Sequence, residues 1–518
     1  MKNVNLGKMF EFSVSRFPEN TAIVEEDRRY TYREFNSQIN KLAVSLQELG
    51  IEKGDRVVII LKNRLETVAL YWAVQKVGAV FTPINFRLST EEVAYCVDNA
   101  EAKAVIYEPI SEDAALQANF TDKPVLISIL GAEGGDITYE KMLEQKNENY
   151  HVPHVDMDDI CLMLYTSGTT GKPKGVPRSH MNEYSAATAH IIQNRYSTHE
   201  STIGAMPLYH TMGMRSLVSM GLLNGKFVMV PDYNTENTLE VLAKEQITCV
   251  YLIPTIFHDI VYHKDFDNYN LRNLKKIGYA GAAMTTELTV KCFEKFKPEV
   301  FVNHYGSTEV YTFSICDYLD KKPGCAGKPG FHQELRLVTP DPEGNADPSD
   351  LVSVGEPGEI IVNIDSLESF KGYWKRPDAN KKAINSGWYF TGDMGVLDED
   401  GDLNVVGRVD DMIISGGENI HPLEVEDVLA AHPDVSEVTI VGIPDSRWGE
   451  KVIAYIVTDN KDLTSEELDA YCKDSDKLAN FKRPKEYRIV NEIPKSPVGK
   501  ILRRILRDNY QEEMKESV

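Results

Sequence analysis

The sequence predicts a multi-domain α/β protein: a large N-terminal domain of parallel-rich sheets with helices and a β-rich subdomain, then a small α+β C-terminal domain. Three observations support this prediction. A chain of 518 residues is longer than one hydrophobic core usually serves. Strand and helix patterns alternate near the N-terminus, which is typical of parallel sheets covered by helices. Further along, the pattern changes twice, which indicates additional folding units.

The first hundred residues alternate between helix and strand patterns. Apolar residues at intervals of three and four predict a helix that ends at Gly50: Phe35, Ile39, Leu42 and Leu46. The short apolar runs RVVIIL, AVFTPI and AKAVIY predict buried strands, and LETVALYWAVQKVG predicts a second helix. Ser89, followed three residues later by Glu92, predicts a capping box at the start of a third helix. Ligands of such sheets bind beyond the carboxyl ends of the strands.

Two changes of pattern divide the rest of the chain. Between residues 324 and 406, short strands such as ELRLV and GEIIVN are separated by polar turns, which predicts the β-rich subdomain. After the stretch GRVDD, the helix patterns PLEVEDVLAAHPDV and SEELDAYCKD enclose the strand patterns VSEVTIVGI and KVIAYIV. We therefore expect an N-terminal domain at residues 1–409 and a C-terminal domain at residues 410–518.

The chain is strongly acidic, with 79 acidic and 56 basic residues and a formal charge of −23. Nucleic-acid binding depends on neutralising phosphates, so a nucleic acid is not an expected partner. A phosphate site must instead be built locally, from basic side chains, backbone N–H groups or a metal. The seven cysteines form no Cys-x-x-Cys pair, the N-terminus lacks the apolar core of a secretory signal, and no window approaches about 18 apolar residues. We expect reduced thiols, no transmembrane segment and a cytoplasmic location.

The loop YTSGTTGKPKGV, at residues 165–176, follows the end of an apolar strand. Its glycines let the backbone approach a ligand closely, its hydroxyl groups add donors, and its lysines add charge, so the loop is suited to a polyphosphate. A Walker A loop needs four residues between its first glycine and its Gly-Lys pair, whereas only two separate Gly168 from Gly171 and Lys172. A P-loop NTPase is therefore disfavoured.

Four further stretches accompany the loop. In NHYGSTE, a base can stack on Tyr305, and the carboxylate of Glu309 can hold Mg²⁺. YFTGD ends in Asp393, which is suited to ribose hydroxyl groups, and GRVDD carries the cation Arg408. PVGKILRR carries Lys500 after a glycine. In this order and at these distances, the motifs resemble the adenylate-forming superfamily of acyl-CoA and aryl-CoA synthetases, adenylation domains and firefly luciferase, over roughly residues 10–507.

The resemblance implies a mobile C-terminal domain with a hinge at Asp410, and an ATP-dependent carboxylate–CoA ligase that works through an acyl-adenylate. The implied co-substrates are a small carboxylic acid, ATP and coenzyme A, with Mg²⁺ as the metal. Lys500, His210 and Glu309 are implied to be catalytic, with Glu309 binding the metal. The residues implied to bind ATP or AMP are Thr166, Ser167, Gly168, Thr169, Thr170, Lys174, Gly281, Ala282, Ala283, Tyr305, Gly306, Ser307, Thr308, Asp393 and Arg408.

The C-terminal motifs favour CoA as the thiol. Residues 477–507 hold ten basic and two acidic side chains, a charge that suits the CoA phosphates, although a solvated face is the alternative. GRVDDMIISGGENIHP, RWG and FKRPK resemble the chlorobenzoate–CoA ligase branch of the superfamily. That resemblance implies CoA contacts at Arg87, Gly416, Gly417, Trp448, Phe481 and Arg483. For Trp448, a core aromatic is the alternative interpretation.

The resemblance also implies an acyl pocket with His210 at its mouth. The expected lining is His210, Thr211, Met212, Ala280 and Tyr311. Aromatic and medium-chain acids both remain open, and His304 argues against a long straight tunnel. Arg178 either lies on the surface or affects the binding of an anionic ligand.

The rival functions are a stand-alone adenylation enzyme that loads a carrier-protein thiol and a non-catalytic nucleotide-binding or scaffold protein. A luciferase-like side activity and a homodimer are left open.

Overall fold

The protein is described by a computed structural model that covers residues 5–166, 172–341, 346–416, 418–445, 447–475, 478–495 and 501–516. Its strands are β1 Thr21–Glu25, β2 Arg28–Thr31, β3 Arg56–Ile60, β4 Val80–Pro83, β5 Ala102–Tyr107, β6 Val125–Ser128, β7 Ile137–Thr138, β8 Ile160–Thr166, β9 Lys174–Ser179, β10 Ser201–Gly204, β11 Lys226–Met229, β12 Cys249–Leu252, β13 Lys276–Tyr279, β14 Val300–Tyr305, β15 Ser314–Cys316, β16 Lys328–Pro329, β17 Leu335–Val338, β18 Pro357–Asn363, β19 Ile384–Asn385, β20 Trp388–Leu397, β21 Leu403–Arg408, β22 Ile413–Ser415, β23 Glu418–Ile420, β24 Glu437–Asp445, β25 Gly449–Val457 and β26 Glu486–Ile489.

The α-helices are α1 Leu6–Arg16, α2 Tyr32–Glu48, α3 Leu65–Val77, α4 Thr90–Ala100, α5 Glu112–Leu116, α6 Tyr139–Leu143, α7 His180–Gln193, α8 Thr211–Leu223, α9 Thr235–Lys244, α10 Pro254–Val261, α11 Thr286–Phe296, α12 Pro377–Ala383, α13 Pro422–Ala430, α14 Ser465–Asp474 and α15 Arg503–Glu516. None of these described helices is long and apolar enough to cross a membrane.

The N-terminal part contains three sheets that are rich in parallel pairs. The first has the strand order β7–β6–β5–β3–β4–β8–β9, in which only the β8–β9 pair is antiparallel. The second has the order β10–β11–β1–β2. In the third, β12–β13–β14–β15–β16, the strands β12, β13 and β14 are parallel to one another. The predicted parallel-rich sheets are therefore confirmed.

The next sheet is antiparallel, with the order β17–β18–β20–β19 and β21 paired to β20. It confirms the predicted β-rich subdomain. The C-terminal sheet has the order β23–β22–β25–β24, with β26 parallel to β25. The helix α13 packs on this sheet, and Ile413, Val425, Leu429 and Ile440 are buried there. The fold is thus mixed α/β, with a large N-terminal and a small C-terminal unit.

The predicted local signals of the first helices are confirmed. The helix α2 begins with a capping box between Thr31 and Glu34, buries the four predicted apolar residues, and ends within two residues of Gly50. The helix α4 has the predicted box between Ser89 and Glu92. By contrast, α3 is buried on every side, so Lys76 lies inside the core. Its ammonium donates to Asn36 and Asn40 at 2.6 and 2.7 Å, and burial lowers its pKa to about 8.

The seven cysteines are all buried, and none of them is paired in a disulfide.

Candidate active site

Three parallel strands bring separate motifs to one edge of the third sheet. Leu252, Tyr279 and Asn303 lie in register near the carboxyl ends of β12, β13 and β14. The chain segments that follow these strands therefore meet beyond the same edge. The segment after β13 holds Gly281, whose φ of +87° suits glycine, and the exposed residues Ala282 and Ala283. The segment after β14 holds residues 306–309 of the NHYGSTE motif.

A tight turn fixes the direction of Glu309. A Cβ on Gly306 would lie 2.1 Å from the Tyr311 carbonyl oxygen, so only glycine fits there. The Ser307 N–H donates to the Val310 carbonyl at 3.1 Å, and the Ser307 hydroxyl accepts from the Glu309 N–H at 3.2 Å. Thr308 lies in the same turn.

Tyr305, Asp393 and Arg408 form a hydrogen-bonded group. The Tyr305 hydroxyl donates to Asp393 Oδ2 at 2.6 Å, and Arg408 Nη1 lies 2.6 Å from Asp393 Oδ1. Asp393 and Arg408 face each other across the β20–β21 pair, whose register places them together. Gly392, with a φ of +71°, leaves room for the guanidinium, since a Cβ there would lie 2.7 Å from Arg408 Nη2. The predicted base-stacking and ribose residues are thus neighbours.

Glu309 lies beside a residue that the sequence analysis did not identify. The Tyr373 hydroxyl donates to Glu309 Oε1 at 2.7 Å, and the ammonium of Lys174 lies 4.2 Å from the centre of the Tyr373 ring. Burial lowers the pKa of Lys174, and the charge of Glu309 opposes this shift. The largely buried carboxylate is a hard oxygen ligand, so the residues present fit Mg²⁺. The only available signal for Tyr373 was the stretch GYW at residues 372–374.

The phosphate loop connects the antiparallel strands β8 and β9. Thr166 and Lys174 are paired at its two ends, and the buried Thr166 hydroxyl makes no hydrogen bond with a described residue. The Trp374 N–H donates to the Gly175 carbonyl at 2.8 Å, and the Tyr95 hydroxyl donates to the Pro173 carbonyl at 3.0 Å. These contacts fix the second strand of the hairpin. Five residues predicted to act on ATP lie outside the described part of the chain: Ser167, Gly168, Thr169, Thr170 and Lys500.

The predicted acyl residues surround the start of α8. His210 is the N-terminal cap of this helix, and its side chain accepts from the Met212 N–H at 3.4 Å. A Cβ on Gly281 would lie 3.8 Å from Met212 Sδ, which brings the segment at Ala280 to the same place. Thr211, Met212 and Ala280 are buried or nearly so. The structure therefore brings these four predicted pocket residues together.

Tyr311, the fifth predicted pocket residue, joins a buried charged group. Its hydroxyl donates to Glu183 Oε2 at 3.2 Å, and the Arg178 guanidinium carbon lies 3.6 Å from the centre of its ring. Arg178 is completely buried, so its interpretation as a surface residue is wrong. The Arg178 Nε lies 2.5 Å from Glu183 Oε1, and Nη1 donates to the Thr308 and Glu309 carbonyls at 3.2 and 3.3 Å. Arg178 thereby supports the turn that carries Glu309.

His304 is also buried, next to other polar rings. Its Nε2 lies 3.0 Å from Asn194 Nδ2, and its ring centre is 5.2 Å from that of Tyr251 and 5.1 Å from that of His190. Burial lowers the pKa of both histidines well below the usual value, so both are neutral near pH 7.

The predicted CoA residues of the C-terminal unit include two exposed aromatic side chains. Trp448 is 38% exposed and Phe481 is 46% exposed, so the interpretation of Trp448 as a core aromatic is wrong. The Gly416 N–H donates to the Trp448 carbonyl at 2.7 Å, and Lys485 Nζ lies 5.7 Å from the Trp448 ring centre. Gly417 lies outside the described residues. Arg87, in the N-terminal unit, is exposed.

Much of the basic run at residues 477–507 is neutralised within the C-terminal unit. Arg483 lies 2.5 Å from Asp469, and Lys482 lies 2.5 Å from Glu424. Further pairs join Arg488 to Glu486 and Glu513, Lys495 to Glu437, Arg503 to Asp411 and Glu426, and Arg507 to Asp411. The count of basic residues therefore overstates the free positive charge available to a ligand.

Asp410 lies in a single 3₁₀ turn, Val409–Asp411, between β21 and β22. Its carbonyl accepts from Arg507 Nη1 at 3.4 Å, and the Asp411 carboxylate pairs with Arg503 and Arg507. The segment predicted to be the hinge is thus a short turn, and α15 contacts it through its arginines.

Three features characterise a nucleotide-using enzyme of the adenylate-forming class. They are a hydroxyl-rich hairpin loop, a tyrosine–aspartate–arginine group, and a carboxylate beside a lysine. Residues 10–374 match the family described as AMP-binding enzyme, and residues 424–500 match its C-terminal domain. The chain belongs to the AMP-binding enzyme family. It is an AMP-forming acid–thiol ligase, which activates a small carboxylic acid with ATP as an acyl-adenylate and then passes the acyl group to a thiol.

Similar proteins act on different acids. The long-chain-fatty-acid–CoA ligase FadD13 of Mycobacterium tuberculosis is 31% identical over 98% of each chain. A 2-succinylbenzoate–CoA ligase of Bacillus cereus is 32% identical over 96% of each chain. The solved structure of O-succinylbenzoate CoA synthetase from Bacillus subtilis, in complex with ATP and magnesium ion, matches with a TM-score of 0.83 at 27% identity, over 96% of this chain and 99% of that chain.

Proposed function

We propose that this chain converts an aromatic or medium-chain carboxylic acid, with MgATP and CoA, into the acyl-CoA thioester, AMP and pyrophosphate. The observation that carries the proposal is the group formed by Tyr305, Asp393 and Arg408, which presents one aromatic face and one carboxylate for a nucleoside. The ring of Tyr305 suits adenine, and the carboxylate of Asp393 suits the ribose hydroxyl groups.

In the first half-reaction, a carboxylate oxygen of the acid attacks the α-phosphorus of ATP. The bond between the α-phosphorus and the oxygen that bridges to the β-phosphorus breaks, and pyrophosphate leaves. Lys174, at the end of the phosphate loop, would hold the terminal phosphates, and Lys500 would stabilise the negative charge that develops at the α-phosphate. Mg²⁺ held by Glu309 would supply charge neutralisation on the phosphates. His210 would orient the acid at the mouth of the pocket.

In the second half-reaction, the CoA thiol attacks the acyl carbon of the mixed anhydride. The bond between the acyl carbon and the AMP oxygen breaks, AMP leaves, and the thiol proton passes to solvent. The exposed rings of Trp448 and Phe481 support CoA as the acceptor, because exposed aromatic faces can stack on a nucleotide. Arg87, Gly416, Gly417 and Arg483 are the further proposed CoA contacts. Loading of a carrier-protein thiol is the alternative function.

We also propose a domain boundary at residues 409 and 410, with the hinge at Asp410. The free cysteines support a reducing compartment such as the cytoplasm.

The test is a panel of aromatic and straight-chain acids, assayed with MgATP for pyrophosphate release and, after addition of CoA or a phosphopantetheinylated carrier protein, for thioester formation. The proposal expects acid-dependent pyrophosphate release and faster transfer to CoA than to the carrier. Faster transfer to the carrier would favour the alternative, and no pyrophosphate release with any acid would overturn both.

A further inference from the structure

Arg178 lies on β9, the strand that leads away from the phosphate loop. Side chains at alternate positions of a strand point to the same face, so Arg178 shares a face of β9 with Val176 and Lys174. Val176 packs in one buried cluster with Val310 and Tyr373. The face of β9 that carries the phosphate-loop lysine therefore also contacts the turn that carries the expected metal carboxylate.

The guanidinium of Arg178 bonds to the backbone of this turn. Its Nη1 donates to the Thr308 carbonyl at 3.2 Å and to the Glu309 carbonyl at 3.3 Å. The Glu309 carbonyl also accepts from the Phe370 N–H at 2.9 Å, and the Glu309 carboxylate accepts from the Tyr373 hydroxyl at 2.7 Å. Arg178 thus helps to hold the backbone of Glu309, while Tyr373 holds its carboxylate.

The charge of Arg178 is compensated inside the protein. Arg178 is completely buried, its Nε lies 2.5 Å from Glu183 Oε1, and the Tyr311 ring centre lies 3.6 Å from its guanidinium carbon. The Tyr311 hydroxyl donates to the second oxygen of Glu183 at 3.2 Å. The neighbouring buried pair, Arg215 and Glu368, is also balanced in formal charge. A role within the protein therefore fits Arg178 better than direct contact with an anionic ligand.

The shape of the guanidinium explains why this residue can set a direction as well as neutralise a charge. Its five N–H donors are arranged in one plane, so the bond to Glu183, on α7, fixes the direction in which Nη1 points. The turn of Glu309 is thereby held against both β9 and α7. Groups that orient metal ligands typically contribute 10- to 100-fold in metal affinity.

We propose that Arg178 is a positioning residue that fixes the turn of Glu309 against β9, so that the metal carboxylate and Lys174 are held at a fixed separation for the phosphates of MgATP. This inference rests on the proposed function, since it concerns the ATP site of the same reaction. Arg178 acts through the carbonyls of Thr308 and Glu309 and touches neither the metal nor the nucleotide.

The test measures the dissociation constant of ATP by calorimetry, with Mg²⁺ and with EDTA in its place, in the absence of acid and CoA. The ratio of the two constants gives the contribution of the metal to ATP binding without any measurement of activity. The main variant is Arg178→Met with Glu183→Gln, which removes both charges of the pair and so leaves no unpaired buried charge. We expect this double variant to lower the wild-type ratio by about tenfold, or about 1.4 kcal/mol.

Arg215→Met with Glu368→Gln is the matched control, because it removes the neighbouring buried pair. Among the described residues, Arg215 donates to the Thr312 hydroxyl and not to a carbonyl of the turn. We expect this control to keep the wild-type ratio. The thermal unfolding midpoint of both double variants is measured as well, so that a loss of stability is separated from a loss of metal-dependent binding.

A wild-type ratio in the Arg178 double variant would overturn the proposal and leave Arg178 as a residue that only neutralises Glu183. An equal loss of the ratio in both double variants would also overturn it, because the effect would then belong to the whole buried cluster. The same holds if the wild type binds ATP equally well with Mg²⁺ and with EDTA.

If the Arg178 double variant does not fold, Arg178→Lys decides by the same ratio. It keeps the positive charge beside Glu183, but its single nitrogen lacks the fork that reaches Glu183 and both carbonyls together. We expect a lowered ratio, and a wild-type ratio would overturn the proposal. No pyrophosphate release with any acid would instead overturn the proposed function, whatever the ratio.

Discussion

Asp393 accepts from Tyr305 with one oxygen and from Arg408 with the other, so each oxygen has one protein donor and can accept a further hydrogen bond. Such a carboxylate holds an aromatic face and a cation in fixed relative positions. All three residues could be predicted from the sequence, because each lies in a short motif with a distinctive local sequence.

Asp393→Asn should raise the KM for ATP by about 10- to 100-fold. An asparagine can accept from Tyr305, but its amide then points N–H groups at Arg408, and the charge-assisted bond, worth roughly 1.5–3 kcal/mol, is lost. The measurement is pyrophosphate release against ATP concentration. Asp398→Asn is the control, since Asp398 binds Lys322 at 2.7 Å on the turn between β20 and β21. An unchanged KM for ATP in Asp393→Asn would contradict the ribose assignment.

Tyr373→Phe should raise the Mg²⁺ concentration that gives half-maximal activity by about 10-fold. The hydroxyl that orients Glu309 is removed, and groups that orient metal ligands typically contribute 10- to 100-fold in affinity. Titration of the first half-reaction with Mg²⁺ at saturating ATP measures this. Tyr318→Phe, which removes a 2.6 Å bond to Asp402, is the matched control. The metal assignment of Glu309 fails if both variants titrate as the wild type does.

Other residues escaped the sequence analysis for physical reasons. Arginine is normally exposed, so nothing local indicated that Arg178 and Arg215 would be buried. Arg215 donates to the hydroxyl of Thr312, which lies 97 residues away in sequence. Tyr373 likewise acquires a role only through Glu309, 64 residues earlier. Contacts of this range depend on the tertiary fold and have no periodic signature in the sequence.

Strands and helices near the N-terminus could be predicted because their periods are local. Their neighbours in the sheets could not be predicted, since β1 pairs with β11, about two hundred residues further on.

Packing of the strands also changes the pKa of a carboxyl group on β18, which lies beside β20 and carries Glu359. Burial raises the pKa of this carboxyl to about 7, while the Gly392 N–H and Arg408 oppose the shift.

A pKa raised on folding makes the folded state bind the proton more tightly than the unfolded state. This contribution to stability is present below the unfolded pKa of about 4.5 and is lost as pH rises through about 7. The full effect is about 3 kcal/mol. We expect the thermal unfolding midpoint of Glu359→Gln to fall less than that of the wild type between pH 5 and pH 8. If the unfolding midpoints of the variant and the wild type change with pH in parallel, the prediction of a raised pKa for Glu359 is wrong.

At the scale of the whole molecule, the order of the motifs predicted a two-unit enzyme, and the structure has a large N-terminal and a small C-terminal unit. Composition could not predict the local charge balance. The basic run near the C-terminus is largely paired with Asp and Glu residues from α13, α14, β24 and β26, so its net field at a ligand is weaker than its count suggests. We therefore propose that CoA recognition depends more on the exposed rings of Trp448 and Phe481 than on the net charge of the basic run.

In the proposed function, two half-reactions share one site, and we expect the first to need Lys500 and the second to need access for a thiol. A few backbone torsions must change between them, and we expect the change at Asp410, in the turn Val409–Asp411. Proline fixes φ near −65° and has no N–H, so Asp410→Pro should hold the turn in one state. We expect adenylation within about tenfold of the wild type, a loss of roughly 1.4 kcal/mol, and a much larger fall in thioester formation.

Single-turnover assays measure each step separately: pyrophosphate release for the first, and CoA thioester formation from supplied acyl-adenylate for the second. Asp410→Ala is the matched control, because it removes the same carboxylate but leaves the backbone free to rotate. If Asp410→Pro and Asp410→Ala lose thioester formation equally, the side chain and not the torsion matters. If Asp410→Pro keeps both steps, the torsions that change lie elsewhere in the chain. If both steps collapse with the thermal midpoint, the substitution has damaged the fold and does not test the hinge.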